Sequence, residues 1–127
     1  MKMSIEPGLR ILDKLDDSKG KMVQLYVKDI PILVIGHTKR SHGEILEQVL
    51  EESRIRFNRI KLRGERYYAE KQGELYVAVG MGSADLDEYL WKQIFLSGKC
   101  FTYKLTPNYE HSKRVQLHIP EYKLFIA

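Results

Sequence analysis

The chain has 127 residues, 43% apolar and 30% charged, with a formal net charge of +4 and a single cysteine. That length suits one domain with one core, and the composition is far from that of a disordered chain. No apolar run is long enough for a membrane-spanning helix, and a lone Cys100 excludes an internal disulfide and a cysteine-rich zinc site.

The start, MKMSIEPGLRIL, lacks the apolar core and cleavage site of a signal peptide, so the cytoplasm is the expected location. Ser4 to Ser18 reads as an amphipathic helix, with Ile5, Leu9, Leu12 and Leu15 on one face, Ser4 as N-cap and Gly20 as terminator. Met22 to Val27 alternates as a strand, and Lys28-Asp29 marks a turn. Ile30 to Gly36 is a continuous apolar run, read as a central strand buried on both faces, with Pro31 at its start. A helix is predicted over 41–53, burying Ile45, Leu46, Val49 and Leu50, and IRFNRIKLR (55–63) reads as a third strand. Glu74 to Gly80 reads as another apolar strand ending in glycine, followed by a helix over about 85–96 that Gly98 stops. Residues 99–107 read as a strand, 107–113 as a loop, and 113–126 as a C-terminal hairpin with Val115, Leu117 and Ile119 inward.

Gly80 lies 44 positions after Gly36, and each closes an apolar strand. At the same offset Ser41-x-x-Glu44 meets Asp85-x-x-Glu88, two capping-box patterns. The fold expected is therefore α+β: two tandem ββαβ units (22–63 and 66–106) forming a mixed sheet with two helices mainly on one face. An N-terminal helix (1–20) and a C-terminal β-hairpin (113–126) complete a single domain over 1–127.

Between the two units the loops differ: His37-Thr38-Lys39-Arg40 in the first, Met81-Gly82-Ser83-Ala84 in the second. A strand end feeding a helix N-terminus gathers free backbone N–H groups and positive dipole, and Lys39 and Arg40 add charge, so the first loop is a candidate anion site. It lacks the glycine spacing of a P-loop. His37 has the titration range of a general acid or base and is the one candidate catalytic residue. Ser41 is read as a cap rather than a nucleophile. The five-residue separation of His37 and His42 does not suit a helical metal pair, Asp85, Asp87 and Glu88 are explained as cap and dipole partners, and Cys100 is read as a buried apolar side chain, so neither metal nor cofactor is expected. Trp91, Tyr89 and Phe95 are read as core, with Trp91 off the apolar stripe, either packed under the N-terminal helix or at a dimer contact.

The stretch 54–68 interleaves Arg54, Arg56, Arg59, Lys61, Arg63 and Arg66 with Phe57, Tyr67 and Tyr68. Cations follow phosphates and exposed aromatics stack on bases; equally, charge guards a sheet edge. With a pI near 9.1, the first expectation is a module binding a phosphate-bearing ligand, RNA or another nucleic acid ahead of a phosphorylated small molecule. Its ligand-binding residues would be Thr38, Lys39, Arg40, Arg56, Arg59, Lys61 and Arg63. The alternatives are a hydrolase or transferase acting on a phosphorylated substrate with His37 as acid/base, and a homo-oligomeric accessory protein without catalysis, a homodimer being the simplest form. No membrane partner is expected, and the richness in Lys, Glu, Arg and Ile points to a thermophilic source.

Overall fold

The structure, a computed structural model, describes residues 6–55, 76–88 and 91–127, together with the backbone of 59–61 and 67–69. The chain runs β1 (Gly8–Ile11), β2 (Lys19–Val27), β3 (Ile30–Gly36), α1 (His42–Glu52), β4 (Arg59–Lys61), β5 (Tyr67–Ala69), β6 (Tyr76–Asp87), β7 (Gln93–Ser97), α2 (Tyr109–His118) and β8 (Lys123–Ile126). Six strands form one mixed, curled sheet in the order β1-β3-β2-β6-β7-β8, and β4 and β5 pair separately. The four inner strands β3, β2, β6 and β7 pair antiparallel with one another, while the outer β1 on β3 and β8 on β7 are parallel.

The hairpin of β2 and β3 turns on two residues, Lys28 and Asp29, both at positive φ (51° and 67°). Two consecutive left-handed residues match the twist of the flanking strands, which is why so short a loop suffices. From there the apolar run of β3 is buried along nearly its whole length, as its sequence implies. α1 follows with Ser41 as N-cap, whose Oγ accepts the Glu44 N–H at 3.1 Å.

Strand alternation sends neighbouring side chains to opposite faces. Val23, Leu25, Val27, Ile32 and Val34 pack with Ile45, Leu46, Val49 and Leu50 of α1. Met22, Leu33, Ile35, Ala84, Leu86, Ile94 and Leu96 pack on the other side with Val115 and Ile119 around α2. The two helices therefore lie on opposite faces of the sheet, not on one.

The sequence misled in four further places. Residues 8–11 are a strand rather than a helix: Gly8, at φ 113°, leads into parallel pairing with β3. The predicted helix over 85–96 is the end of β6 and most of β7, where Ala84 and Leu86 pair with Leu96 and Ile94; Asp85 is mid-strand, so the second capping box does not exist. Residues 113–118 are helical, not half of a hairpin. His111, Val115 and Ile119, spaced by four, are buried together while Leu117 is 80% exposed, so a period of four lay inside an apparent period of two. Residues 99–105 form turns closed by a Cys100–Leu105 bridge rather than a strand. With α2 near the C-terminus and β4 outside the main sheet, the tandem ββαβ duplication is not realised.

Glycine 80 does not end its strand. A Cβ there would lie 2.1 Å from the Gln24 Oε1, so the glycine admits that side chain and β6 continues for seven residues beyond it. One step before, the β2–β6 register slips, with Gln24 opposite Gly80 and Leu25 opposite Ala78. Val79 is thus the extra residue of a bulge. Its carbonyl accepts from Asn108 Nδ2 at 3.4 Å.

Candidate nucleic-acid interface

The 37–40 loop is held by two acids that lie more than twenty positions earlier in the chain, Asp13 and Asp16. Asp13 Oδ2 accepts the His37 backbone N–H and the Arg40 Nε–H, each at 2.9 Å. Arg40 also donates to Gln48 of α1. His37 Nδ1 accepts the Lys39 N–H at 3.0 Å, which leaves the ring's proton on Nε2, donated to Asp16 at 2.8 Å. Both ring nitrogens of His37 and the guanidinium of Arg40 thereby hold the loop in place. Thr38 and Lys39 point outward and are exposed. His42 ties α1 to the sheet: its Nε2 donates to the Gly82 carbonyl at 2.8 Å. Burial pushes its pKa down, the Gly82 hydrogen bond works against that, and the Lys21 charge adds to the lowering.

Of the other ligand-binding candidates, Arg56 and Arg63 lie outside the described residues, and Arg59 and Lys61 are described only as backbone, in β4. Asp85 and Asp87 stand on β6 and Glu88 directly follows it, so none of them begins a helix. Among the described residues no cluster of three His, Cys, Asp or Glu has the arrangement of a metal site.

Beyond the N-terminus of α1 the sheet carries polar residues and an aromatic pair on the α1 side. There Ser83, Asp85, Phe95, Lys123, Phe125 and Lys19 are exposed, with Lys21, Asp87, Gln93 and Ser97 half-buried. Register sorts them into rows running across the strands. One row is Lys19, Asp85, Phe95 and Phe125; a second is Asp87, Gln93 and Lys123; a third is Lys21, Ser83 and Ser97. The rings of Phe95 and Phe125 are stacked, with centroids 5.0 Å apart and planes 16° from parallel. They are 44% and 41% exposed, on a face that no described element covers. The back of the same strands is closed by Ala84, Leu86, Ile94 and Leu96 against α2, so the platform has a rigid floor.

The predicted loop borders this platform. Gly36, the last residue before His37, pairs with Lys21, and Lys21 pairs with Ser83. Two exposed lysines lie against other rings: Lys92 sits 5.7 Å from the centroid of Tyr122, which packs on the α2 side, and Lys99 lies 4.5 Å from that of Phe101. Trp91, 71% exposed, adds a further ring next to Lys92 in the chain. Phe95 belongs to the core only if residues 85–96 are helical, and they are not. Strand alternation across Ile94-Phe95-Leu96, with the outer two buried, was the signal that would have brought Phe95 out.

A third polar group is buried. Gln24 and His111 are both fully buried. Gln24 Oε1 accepts the Asn108 N–H at 2.7 Å, and Gln24 Nε2 donates to the Asn108 carbonyl at 2.9 Å. His111 Nε2 donates to the Leu25 carbonyl at 2.9 Å, while Nδ1 faces Gln24 Nε2 at 3.3 Å. Asn108 caps α2 by accepting the His111 N–H at 2.8 Å. Every partner is internal and mutually satisfied, which marks a structural joint between α2 and the β2–β6 bulge.

Comparison with protein-family models and with curated proteins finds no match to this chain.

Proposed function

We propose that this protein binds single-stranded nucleic acid, RNA favoured, on the uncovered part of the sheet around Phe95 and Phe125. The observation that carries this reading is the stacked pair on adjacent strands of an otherwise hydrophilic face. An unpaired base is a flat apolar surface with polar edges. It extends a two-ring stack from its outer end, while Ser83, Ser97 and Gln93 offer hydrogen-bond partners in the rows on either side. Lys19, Lys21 and Lys123 stand at the margins of the platform, where phosphates of a strand crossing it would run, and Lys39 extends the cationic border. The 37–40 loop thus keeps a part in the reading through Thr38 and Lys39, while His37 and Arg40 shape the loop.

The test is fluorescence anisotropy of a labelled RNA hexamer at low salt. Stacking on an aromatic side chain is worth about 1–3 kcal/mol per base, so Phe95→Ala/Phe125→Ala is expected to weaken binding by roughly tenfold or more. Lys123→Ala should flatten the dependence of affinity on salt. Absence of binding by the wild type at low salt, or equal binding by the double variant, overturns the proposal. So does a stable dimer in light scattering that is lost in the double variant, since it would assign the same rings to a second copy of the chain.

A further inference from the structure

Of the platform's two carboxylates, Asp85 is the exposed one, with Lys19 opposite it on β2 and Phe95 opposite it on β7. It stands in the middle of the platform, in the row Lys19–Asp85–Phe95–Phe125. Among the described residues it makes no ion pair. A carboxylate there repels every phosphate that the neighbouring lysines attract, so a face serving only to hold a sugar–phosphate backbone has no use for it. Its place beside Phe95 gives it one. Directly opposed residues on antiparallel strands have Cβ atoms about 4.5–5.5 Å apart. A base stacked at Phe95 would therefore bring one edge over β6 and within reach of the Asp85 side chain.

An ionised carboxylate is acceptor-only, with two oxygens side by side. The base edge that best matches it carries two adjacent donors. In a single strand the Watson–Crick edges are free, and guanine offers N1–H and the N2 amino group next to one another. Cytosine and adenine each offer one amino group. Uracil offers a single N–H between two carbonyl oxygens, both repelled by the carboxylate. We infer that Asp85 is the base-selecting residue of this face and that the site prefers guanine and rejects uracil. This rests on the nucleic-acid reading above and deepens it: Phe95 and Phe125 supply affinity, and Asp85 supplies the choice.

The experiment uses the full chain and labelled hexamers of uridine with a single G, C, A, inosine or U at the third position. A good bidentate pair is worth about 1–3 kcal/mol of discrimination, so the G-containing hexamer should bind roughly tenfold or more tightly than all-U. Inosine, which keeps N1–H and lacks the amino group, should fall between them. Asp85→Asn should bring the hexamers to within about twofold of one another without weakening the all-U hexamer, because it removes a negative charge from the path of the phosphates. Equal affinity for all five hexamers in the wild type, or a guanine preference that survives in Asp85→Asn, overturns the inference while leaving the platform standing. Failure of every hexamer to bind, or binding indifferent to Phe95→Ala/Phe125→Ala, overturns both.

Discussion

Acidification should destabilise this protein through His111, whose surroundings favour its neutral form. In the folded chain the Nε2 proton is donated to the Leu25 carbonyl, and Nδ1 faces an N–H donor of Gln24. A proton added at Nδ1 would set donor against donor in a site without water-facing surface. Burial is the largest cause, Arg114 adds to it, and the Leu25 hydrogen bond opposes it; together they take the pKa from 6.5 down to about 4. The Tyr26 ring packs edge-on against the imidazole from β2, 4.9 Å between centroids, and Arg114 lies over that same ring. Because the folded value lies below the unfolded one, the unfolded chain binds more protons between those two values. Stability is therefore complete above about pH 7 and falls as the pH drops toward 4. A difference of about 2.5 between the two values, at about 1.36 kcal/mol for each pH unit, amounts to about 3 kcal/mol in all, of which about 2 kcal/mol is lost by pH 5. That is a large share of the 5–15 kcal/mol typical of a domain. Urea unfolding followed by far-UV circular dichroism at pH 7.5, 6, 5 and 4.5 measures it, with His111→Gln as the non-titrating reference. The variant starts lower at pH 7.5, because it disturbs the joint with Gln24 and Asn108. Its curve should then be flatter than that of the wild type, and carboxylates titrating in both proteins cancel in the difference. Parallel curves from pH 7.5 to 4.5, or an imidazole resonance of His111 titrating near 6.5, would refute the reasoning.

Two further outcomes follow from close approaches and from the loop. In Gly82→Ala the new Cβ would sit 2.2 Å from the Ser97 carbonyl oxygen, which belongs to the β7 backbone and has no rotamer to escape into; a loss of about 1–3 kcal/mol is expected. Gly36→Ala, whose conflict is with the Ile45 side chain at 2.9 Å, should cost less, and thermal melts that rank the two in reverse would contradict this account. Asp13→Ala removes the acceptor shared by the His37 N–H and Arg40, at about 1–3 kcal/mol. It should also raise the amide hydrogen exchange of His37, and an unchanged exchange rate would count against Asp13 as the anchor of the loop.

How much of this was legible beforehand depended on whether a signal was local. The β2–β3 hairpin, α1 with its Ser41 cap and the final strand at 123–126 were visible because alternation, apolar run and cap chemistry act within a few residues of chain. Two of the failures, at 85–96 and at 108–119, have one physical source: each stretch was compatible with two periods, and a distant partner chose between them. Residues 85–96 carry both a capping pattern and alternation, and pairing of Ala84 and Leu86 with Leu96 and Ile94 selects the strand. Residues 108–119 carry alternation and a four-residue spacing, and the Asn108 cap together with the pocket for His111 selects the helix. The same holds for the sites. Lys39 and Arg40 looked equivalent in sequence, yet Asp13, 27 positions before Arg40, takes up one and leaves the other exposed. Phe95 moved from presumed core to platform once its strand was fixed, and Asp85 moved from helix cap to its neighbour. The aromatic face is therefore a product of strand order: β7 lies between β6 and β8, which sets two rings 30 positions apart against each other and a carboxylate beside them.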